Sequence, residues 1–321
     1  MGKIGLFGAS GAIGQSVGEA LRQRGQEFRV VSRSAVSLER EFGSNPHAER
    51  VTWNPDDPAS VRAAAHGIDT LIYLVGVPYD QFQLHPELMR KTLHGATAEG
   101  VQRMVLVGTV YPYGMPRTEP VKEDHPREPH TYKGKMRKAQ EDLLLESDAV
   151  GKVRGTILRL PDFYGPFVDK SFLHDLFVAA LTGRTANLIG PIDARHQFAF
   201  VPDVGPVLLE LAARPEAYGR WWHFAGSGVA TQRELANQVF AAVGRKPKLR
   251  VAGKSMLRVL GLFNPLMREL VEMNYLQTNP VILDDSALRA LLGPVQATSY
   301  ADGIRQTLEA MRTEPHARAA A

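Results

Sequence analysis

The sequence predicts an α/β fold, a doubly wound parallel sheet followed by a smaller C-terminal region. Three observations predict it. Short, nearly continuous apolar runs alternate with helical stretches through the first half, as in a parallel sheet covered on both faces. A glycine-rich turn, Gly8-Ala9-Ser10-Gly11-Ala12-Ile13-Gly14, lies between the first run and the first helical stretch. After about residue 160, proline and glycine become frequent and the alternation weakens.

Residues 3–7 (KIGLF) read as a short buried strand, and residues 14–24 as a helix with Val17, Ala20 and Leu21 on one face. Residues 28–31 and 50–53 are the second and third strands, and 61–66 a helix. Residues 70–75 (TLIYLV) form an apolar fourth strand, 86–99 a helix, and 103–107 (RMVLV) a fifth strand. Helix 135–146 and strand 155–160 (GTILRL) complete the regular part. Beyond it come helix 172–181, strand 196–201, helix 204–213 and strand 221–224. Helix 231–243 opens with Thr231 and Glu234 at capping-box spacing. Residues 265–276 and 304–311 are the last helices.

The 321 residues are 44% apolar and 22% charged, which excludes wholesale disorder. There are no cysteines, so a disulfide framework, a cysteine nucleophile and thiolate metal sites are excluded. The net charge of +4 is scattered and suits an anionic small molecule at least as well as nucleic acid, for which no motif is present. The amino-terminal apolar run is broken at Gly8, unlike a signal peptide, and no window reaches the length of a membrane span. A cytoplasmic protein without stable membrane insertion is expected. The histidines show no paired ligand spacing, and no metal is expected.

The G-x-x-G-x-x-G spacing between strand and helix carries the first chemical signal. Glycine permits the tight turn, lets the main chain approach a pyrophosphate, and lets the helix lie close on the strand. The helix start offers unpaired N–H groups to a phosphate. Gly8, Ser10, Gly11, Ala12, Ile13 and Gly14 are therefore expected to hold a dinucleotide in a Rossmann-type fold, against the alternative of a ligand-free turn. An NAD site wants a carboxylate about 20 residues further on. Here the second strand ends Val30-Val31-Ser32-Arg33-Ser34, without an acid. Arg33 offers a planar cation to a 2′-phosphate and Ser32 a hydroxyl, so NADPH is expected over NADH. The alternative is a solvated Arg33. The expected organisation is a dinucleotide-binding part at 1–160, with segments near 195–225 returning to it. Residues 161–312 form mainly a smaller substrate-binding region, and 313–321 a flexible tail.

The stretches WNPDDPASV, LIYLVG, VLVGTVYPYG, LRLPDFYGP, FAFVPDVGPVLLEL, and DDSALRALLG with TSYADGIRQTL follow the glycine turn in this order. Together they resemble the extended short-chain dehydrogenase/reductase superfamily, in its branch of NAD-dependent epimerases and dehydratases, over nearly the whole chain. The resemblance implies that Asn54 stands where an acid contacts adenine, with Asp57 at the next common acid. It implies Val75 and Gly76 beside the nicotinamide, Thr109 at the catalytic serine/threonine place, and Pro161 and Asp162 in the loop that closes over the nicotinamide, Asp162 toward the substrate.

That family relays a proton through a tyrosine and a lysine four residues on, a spacing that puts both on one helix face. The lysine's charge lowers the phenol's pKa toward a useful range. Here residues 129–141 read PHTYKGKMRKAQE. The family's upstream proline and downstream glutamate both place Lys133 at the tyrosine position and Arg137 at the lysine position. Tyr132 is one residue off, about 100° around the helix, and the Tyr-x-x-x-Lys pair is absent. Two readings stand open. Lys133 is a proton donor or oxyanion stabiliser beside Thr109, its pKa lowered by an Arg137 that holds ribose or phosphate; or Lys133, Lys135, Arg137 and Lys138 are a solvated basic helix start. A helix starting one residue later would leave Tyr132 free to swing inward.

Tyr79 follows the fourth strand at its C-terminal end, where ligands bind in open α/β sheets, and is a candidate for substrate contact against a plain polar loop. The resemblance implies Tyr111 near the pocket rim, toward the substrate, and Arg195 at a place where relatives contact substrate, against a surface position. The stretch 256–276 is amphipathic and bears arginines, reading as a core or lid helix with membrane-surface contact as its rival. The expected activity is NADP(H)-dependent oxidation, reduction or epimerisation of a small carbonyl or alcohol compound. The rival is a dinucleotide-responsive sensor or assembly partner that has lost the relay. A homodimer is compatible with either.

Overall fold

The computed structural model describes residues 2–169 and 171–313. The expected tail lies, beyond Thr313, outside the described residues. The chain runs β1 (Ile4–Phe7), α1 (Ala12–Gln23), β2 (Phe28–Ser32), α2 (Ala35–Phe42), β3 (Ala48–Thr52), α3 (Pro58–Ala65), β4 (Thr70–Tyr73), α4 (Leu84–Ala98) and β5 (Arg103–Thr109). After a 3-10 turn at Tyr111–Tyr113 come α5 (Tyr132–Ala149), β6 (Arg154–Leu160), β7 (Asp162–Tyr164), α6 (His174–Thr182), β8 (Ala186–Ile189), β9 (Arg195–Phe200) and α7 (Val201–Ala213). A second 3-10 turn precedes β10 (Arg220–His223), β11 (Val229–Thr231), α8 (Gln232–Ala242) and β12 (Leu249–Ala252). The last helices are α9 (Lys254–Leu260), α10 (Pro265–Met273), α11 (Tyr275–Thr278), α12 (Ser286–Leu292) and α13 (Tyr300–Thr313).

Seven strands make one parallel sheet in the order β10-β6-β5-β4-β1-β2-β3. Its central strands are apolar on both faces, and Phe7 stands opposite Val31 on one side and Tyr73 on the other. One face packs Val17, Leu21, Val204 and Leu208 of α1 and α7. The other packs Val61, Met89, Leu93 and Leu144 of α3, α4 and α5. Gly205 makes the α1–α7 contact close, because a Cβ there would stand 2.4 Å from the Ser16 carbonyl oxygen. A third core, with Phe177, Phe198, Phe240 and Leu308, holds the C-terminal region around β9, which pairs with β7 and β11.

Two differences from the sequence expectation matter for the site. Helix α2 was not anticipated. Ser34 caps it by accepting from the Ser37 N–H, and its buried Leu38 and Phe42 lie four residues apart. Helix α5 begins at Tyr132, three residues earlier than expected, because Thr131 accepts from the Gly134 N–H. Glycine argues against a helix start, but at Gly134 a Cβ would stand 2.8 Å from the Tyr111 carbonyl oxygen. The closeness of helix and 3-10 turn requires it.

Candidate active site

A cavity of about 700 Å³ opens at the C-terminal ends of the strands, where β1 and β4 diverge in chain order. Its size falls within the range of small-molecule and cofactor sites. The glycine turn forms its floor, with Gly8, Ser10, Gly11, Ala12, Ile13 and Gly14 all lining it. Gly8 has φ +84°, the left-handed region, and a Cβ there would meet the Val75 main chain at 2.7 Å. At Gly14 a Cβ would stand 2.0 Å from the Ala9 carbonyl oxygen. At Gly11 it would meet nothing within 4 Å, so the open side faces the cavity. The three glycines thus divide the labour of turn, clearance and helix packing.

At one end lie Ser32 and the exposed Arg33, joined by Arg40 and Glu41 of α2 and by Trp53 and Pro55. Arg40 donates through Nε to Glu41 at 2.8 Å. Asn54 does not line the cavity. Its side-chain oxygen accepts from the Asp56 N–H, and its own N–H donates to Ser60, which turns it into the loop. Asp57 caps α3.

At the other end lie Val75, Gly76, Thr109, Pro161, His85 and Arg137. Thr109 accepts from the Tyr111 N–H through its hydroxyl oxygen. Arg137 is buried, donates to the Val107 carbonyl at 2.9 Å, and lies 3.2 Å from His85 Nδ1. Its Nε finds no acceptor among the described residues. Burial pulls the guanidinium below its ordinary value. Burial and then the Arg137 charge push His85 down to about 2, so this imidazole is neutral. The site's rim includes Phe167, which adopts φ +67° between β7 and α6.

Lys133, Arg137 and Glu141 share one buried face of α5. Glu141 receives Arg159 of β6 and Arg127, fixing the helix against the sheet. The solvated reading is therefore overturned for Lys133 and Arg137, while Lys135 is exposed. Lys133, however, does not line the cavity. Its ammonium is held by Glu269 and, at 2.8 Å, by Glu272, both on α10, and it sits against the rings of Tyr79 and Phe82. Its partners are these carboxylates; Arg137 is not among them. Tyr132 occupies the first helical position, 51% exposed and away from the cavity, so the inward swing does not occur.

Tyr79 and Tyr111 stand outside the cavity as a phenol pair, their oxygens 3.2 Å apart. Burial first and the Asp162 charge second push Tyr111 up to about 12, and burial likewise raises Tyr79. Asp162, raised by burial, borders a separate small void with His196 and Leu276. Arg195 points to solvent and pairs with Glu119 at 2.6 Å. Among the described residues no group of histidines and acids could hold a metal ion, and no helix is long and apolar enough to cross a membrane. The sequence reading missed Arg40 and Glu41, which the Ser34 cap and the spacing of Leu38 and Phe42 could have revealed. It also missed Glu269 and Glu272, for which no local signal exists.

The family model for the NAD dependent epimerase/dehydratase family matches residues 4–221. A dTDP-6-deoxy-L-talose 4-dehydrogenase (NAD(P)(+)) from Kitasatospora kifunensis is 26% identical over 229 residues, 66% of this chain and 70% of that one. A double mutant of DesIV, a dTDP-glucose 4,6-dehydratase from Streptomyces venezuelae with NAD and DAU bound, superposes with a TM-score of 0.80 at 18% identity, over 98% of both chains. The Bordetella bronchiseptica enzyme WbmH in complex with NAD+ gives 0.77 at 20% identity, over 98% of this chain and 100% of that one. These structural likenesses speak for the fold.

Proposed function

This chain belongs to the NAD dependent epimerase/dehydratase family, and from that premise we propose that it is an NADP(H)-dependent enzyme, an oxidoreductase or epimerase, working at an alcohol or carbonyl carbon. One observation carries the reading. A single cavity runs from Arg33 and Arg40, over the glycine turn, to Thr109 and Arg137. The names of the relatives point to a nucleotide-linked sugar as the substrate class.

When bound, the nicotinamide donates or accepts the hydride. This chain supplies position and charge. Main-chain N–H groups at the start of α1 take the diphosphate. Arg33 and Arg40 take the 2′-phosphate, Arg40 sharing its charge with Glu41. Arg137, with a free Nε–H donor, holds the ribose. Thr109 donates its hydroxyl proton in a hydrogen bond to the substrate oxygen. Lys133, one turn before Arg137 on the same face, is the proton donor of this reading, and to act as one its ammonium must first leave Glu269 and Glu272 and enter the cavity beside Thr109. The test is turnover of NADPH with carbonyl compounds and of NADP+ with nucleotide-linked sugars. Lys133→Met is expected to keep NADPH binding and lose activity by about 100-fold or more.

A second reading, a dinucleotide sensor, is favoured by one feature: side chains from α10 fill the space around Lys133. No turnover across both panels, with NADPH still bound and a protein partner whose affinity follows NADPH, would decide for it.

A further inference from the structure

Helix α9 turns an apolar face to solvent. Met256, Val259 and Leu260 are spaced to share one side of the helix and are exposed, while Leu257 is buried. The following turn adds Leu262 and Phe263, 78% and 85% exposed, and the first turn of α10 adds exposed Leu266. This tip is well built. The Asn264 side chain accepts from the Leu266 and Met267 N–H groups, α9 packs on α10, and a Cβ at Gly261 would stand 2.9 Å from the Arg268 Cα.

The charge around it has one sign. No acidic residue occurs between Leu235 and Arg268. Lys246 and Lys248 just before β12, Arg250 on it, and Lys254 and Arg258 on α9 are exposed. Among the described residues none of these five has a carboxylate at ion-pairing distance, and Arg268 reaches Glu269 only at 3.9 Å. Exposed leucine and phenylalanine beside unpaired cations match a negatively charged lipid interface. The cores of protein interfaces, by contrast, are depleted of lysine.

We propose that the α9–α10 hairpin docks the protein on an anionic membrane surface, Leu262 and Phe263 entering the acyl boundary and the cations of β12 and α9 meeting the headgroups. The inference goes beyond the reading above and does not depend on it. Helix α10, whose first turn completes the docking tip, also carries the carboxylates that hold Lys133.

The full chain is sedimented with vesicles of phosphatidylcholine alone or with roughly one-third phosphatidylglycerol. The expected result is binding to the anionic vesicles about tenfold or more tighter than to the neutral ones, weakening as salt rises. A Leu262→Ser, Phe263→Ser double variant is expected to lose about tenfold in vesicle affinity with NADPH affinity and thermal midpoint unchanged. Lys254→Glu with Arg258→Glu is expected to remove the preference for anionic lipid. Three results would overturn the proposal: no vesicle binding by the wild type, equal binding by the double serine variant, or a dimer that those serines dissociate while lipid is ignored.

Discussion

At the scale of single residues, Arg33 and Arg137 mark the two ends of the site, and each is placed by a different force. Arg33 follows the last residue of a strand, so a strand-end reading places it without knowledge of the rest of the chain. In the proposed NADP(H) site, Arg33→Ala would remove a charge-assisted hydrogen bond to the 2′-phosphate, worth about 1.5–3 kcal/mol. The expected outcome is a roughly 10- to 100-fold loss of NADPH affinity with NADH affinity little changed, measured by fluorescence titration. Equal losses for both would remove Arg33 from the 2′-phosphate. Lys133 lies at the other extreme. Its position on the helix was legible, but its partners come from α10, more than a hundred residues on. Lys133→Met leaves Glu269 and Glu272 facing each other across a half-buried space. The carboxylates keep some solvent, so the expected cost is about 1–3 kcal/mol, below that of breaking a fully buried pair. Urea unfolding measures it, and restoration by Glu269→Gln in the same chain would identify charge as the cause.

At the scale of elements, β1, the glycine turn and α1 separate folding from binding. Gly14→Ala drives a Cβ into the Ala9 carbonyl, so it is expected to destabilise the chain by about 1–3 kcal/mol and to weaken NADPH. Gly11→Ala meets no atom of the protein. It is expected to leave the thermal midpoint nearly unchanged while lowering NADPH affinity, because the methyl group would stand in the path proposed for the diphosphate. Calorimetric melting beside ligand titration distinguishes the two, and a Gly11→Ala variant with wild-type NADPH affinity would move the diphosphate off this turn. Element boundaries were readable wherever local chemistry sets them. The capping box at Thr231 and Glu234 forms as the spacing implies. The start of α5 was missed because Gly134 is there for contact with Tyr111, a demand invisible to propensity.

At the scale of the whole molecule, buried neutral histidines couple the fold to pH. His223 is pushed down to about 3 by burial and the Arg159 charge, and His85 to about 2. An unfolded chain protonates both near pH 6.5 and therefore binds more protons than the native one below that value. Stability is thus held above about pH 6.5 and lost as pH falls toward the native values, with a limit of about 1.4 kcal/mol per pH unit for each histidine. His223→Gln is expected to flatten the acid limb of a stability–pH curve, even if it lowers stability at neutral pH by disturbing the bonds to Tyr113 and Asp284. An unchanged slope would mean that His223 is charged in the folded protein.

Sequence alone determined the parallel sheet, the glycine turn beneath the cavity, and the presence of Ser32, Arg33, Val75, Gly76, Thr109, Pro161 and Arg137 along it. The sheet, the glycine turn, Ser32 and Arg33 depend on local periodicity or on a position at a strand end, where neighbours in sequence are neighbours in space, whereas Val75, Gly76, Thr109, Pro161 and Arg137 were placed by the resemblance to the short-chain dehydrogenase/reductase superfamily. Tertiary structure decided the rest. It turned Asn54 into its own loop, sent Arg195 to Glu119, left Tyr132 in solvent, and closed α10 over Lys133. The pairing of Arg195 with Glu119 and the closure of α10 over Lys133 are set by contacts between segments far apart in the chain, while Asn54 is turned by its own loop. In each case the direction and partner of a side chain follow from packing that no periodic pattern encodes.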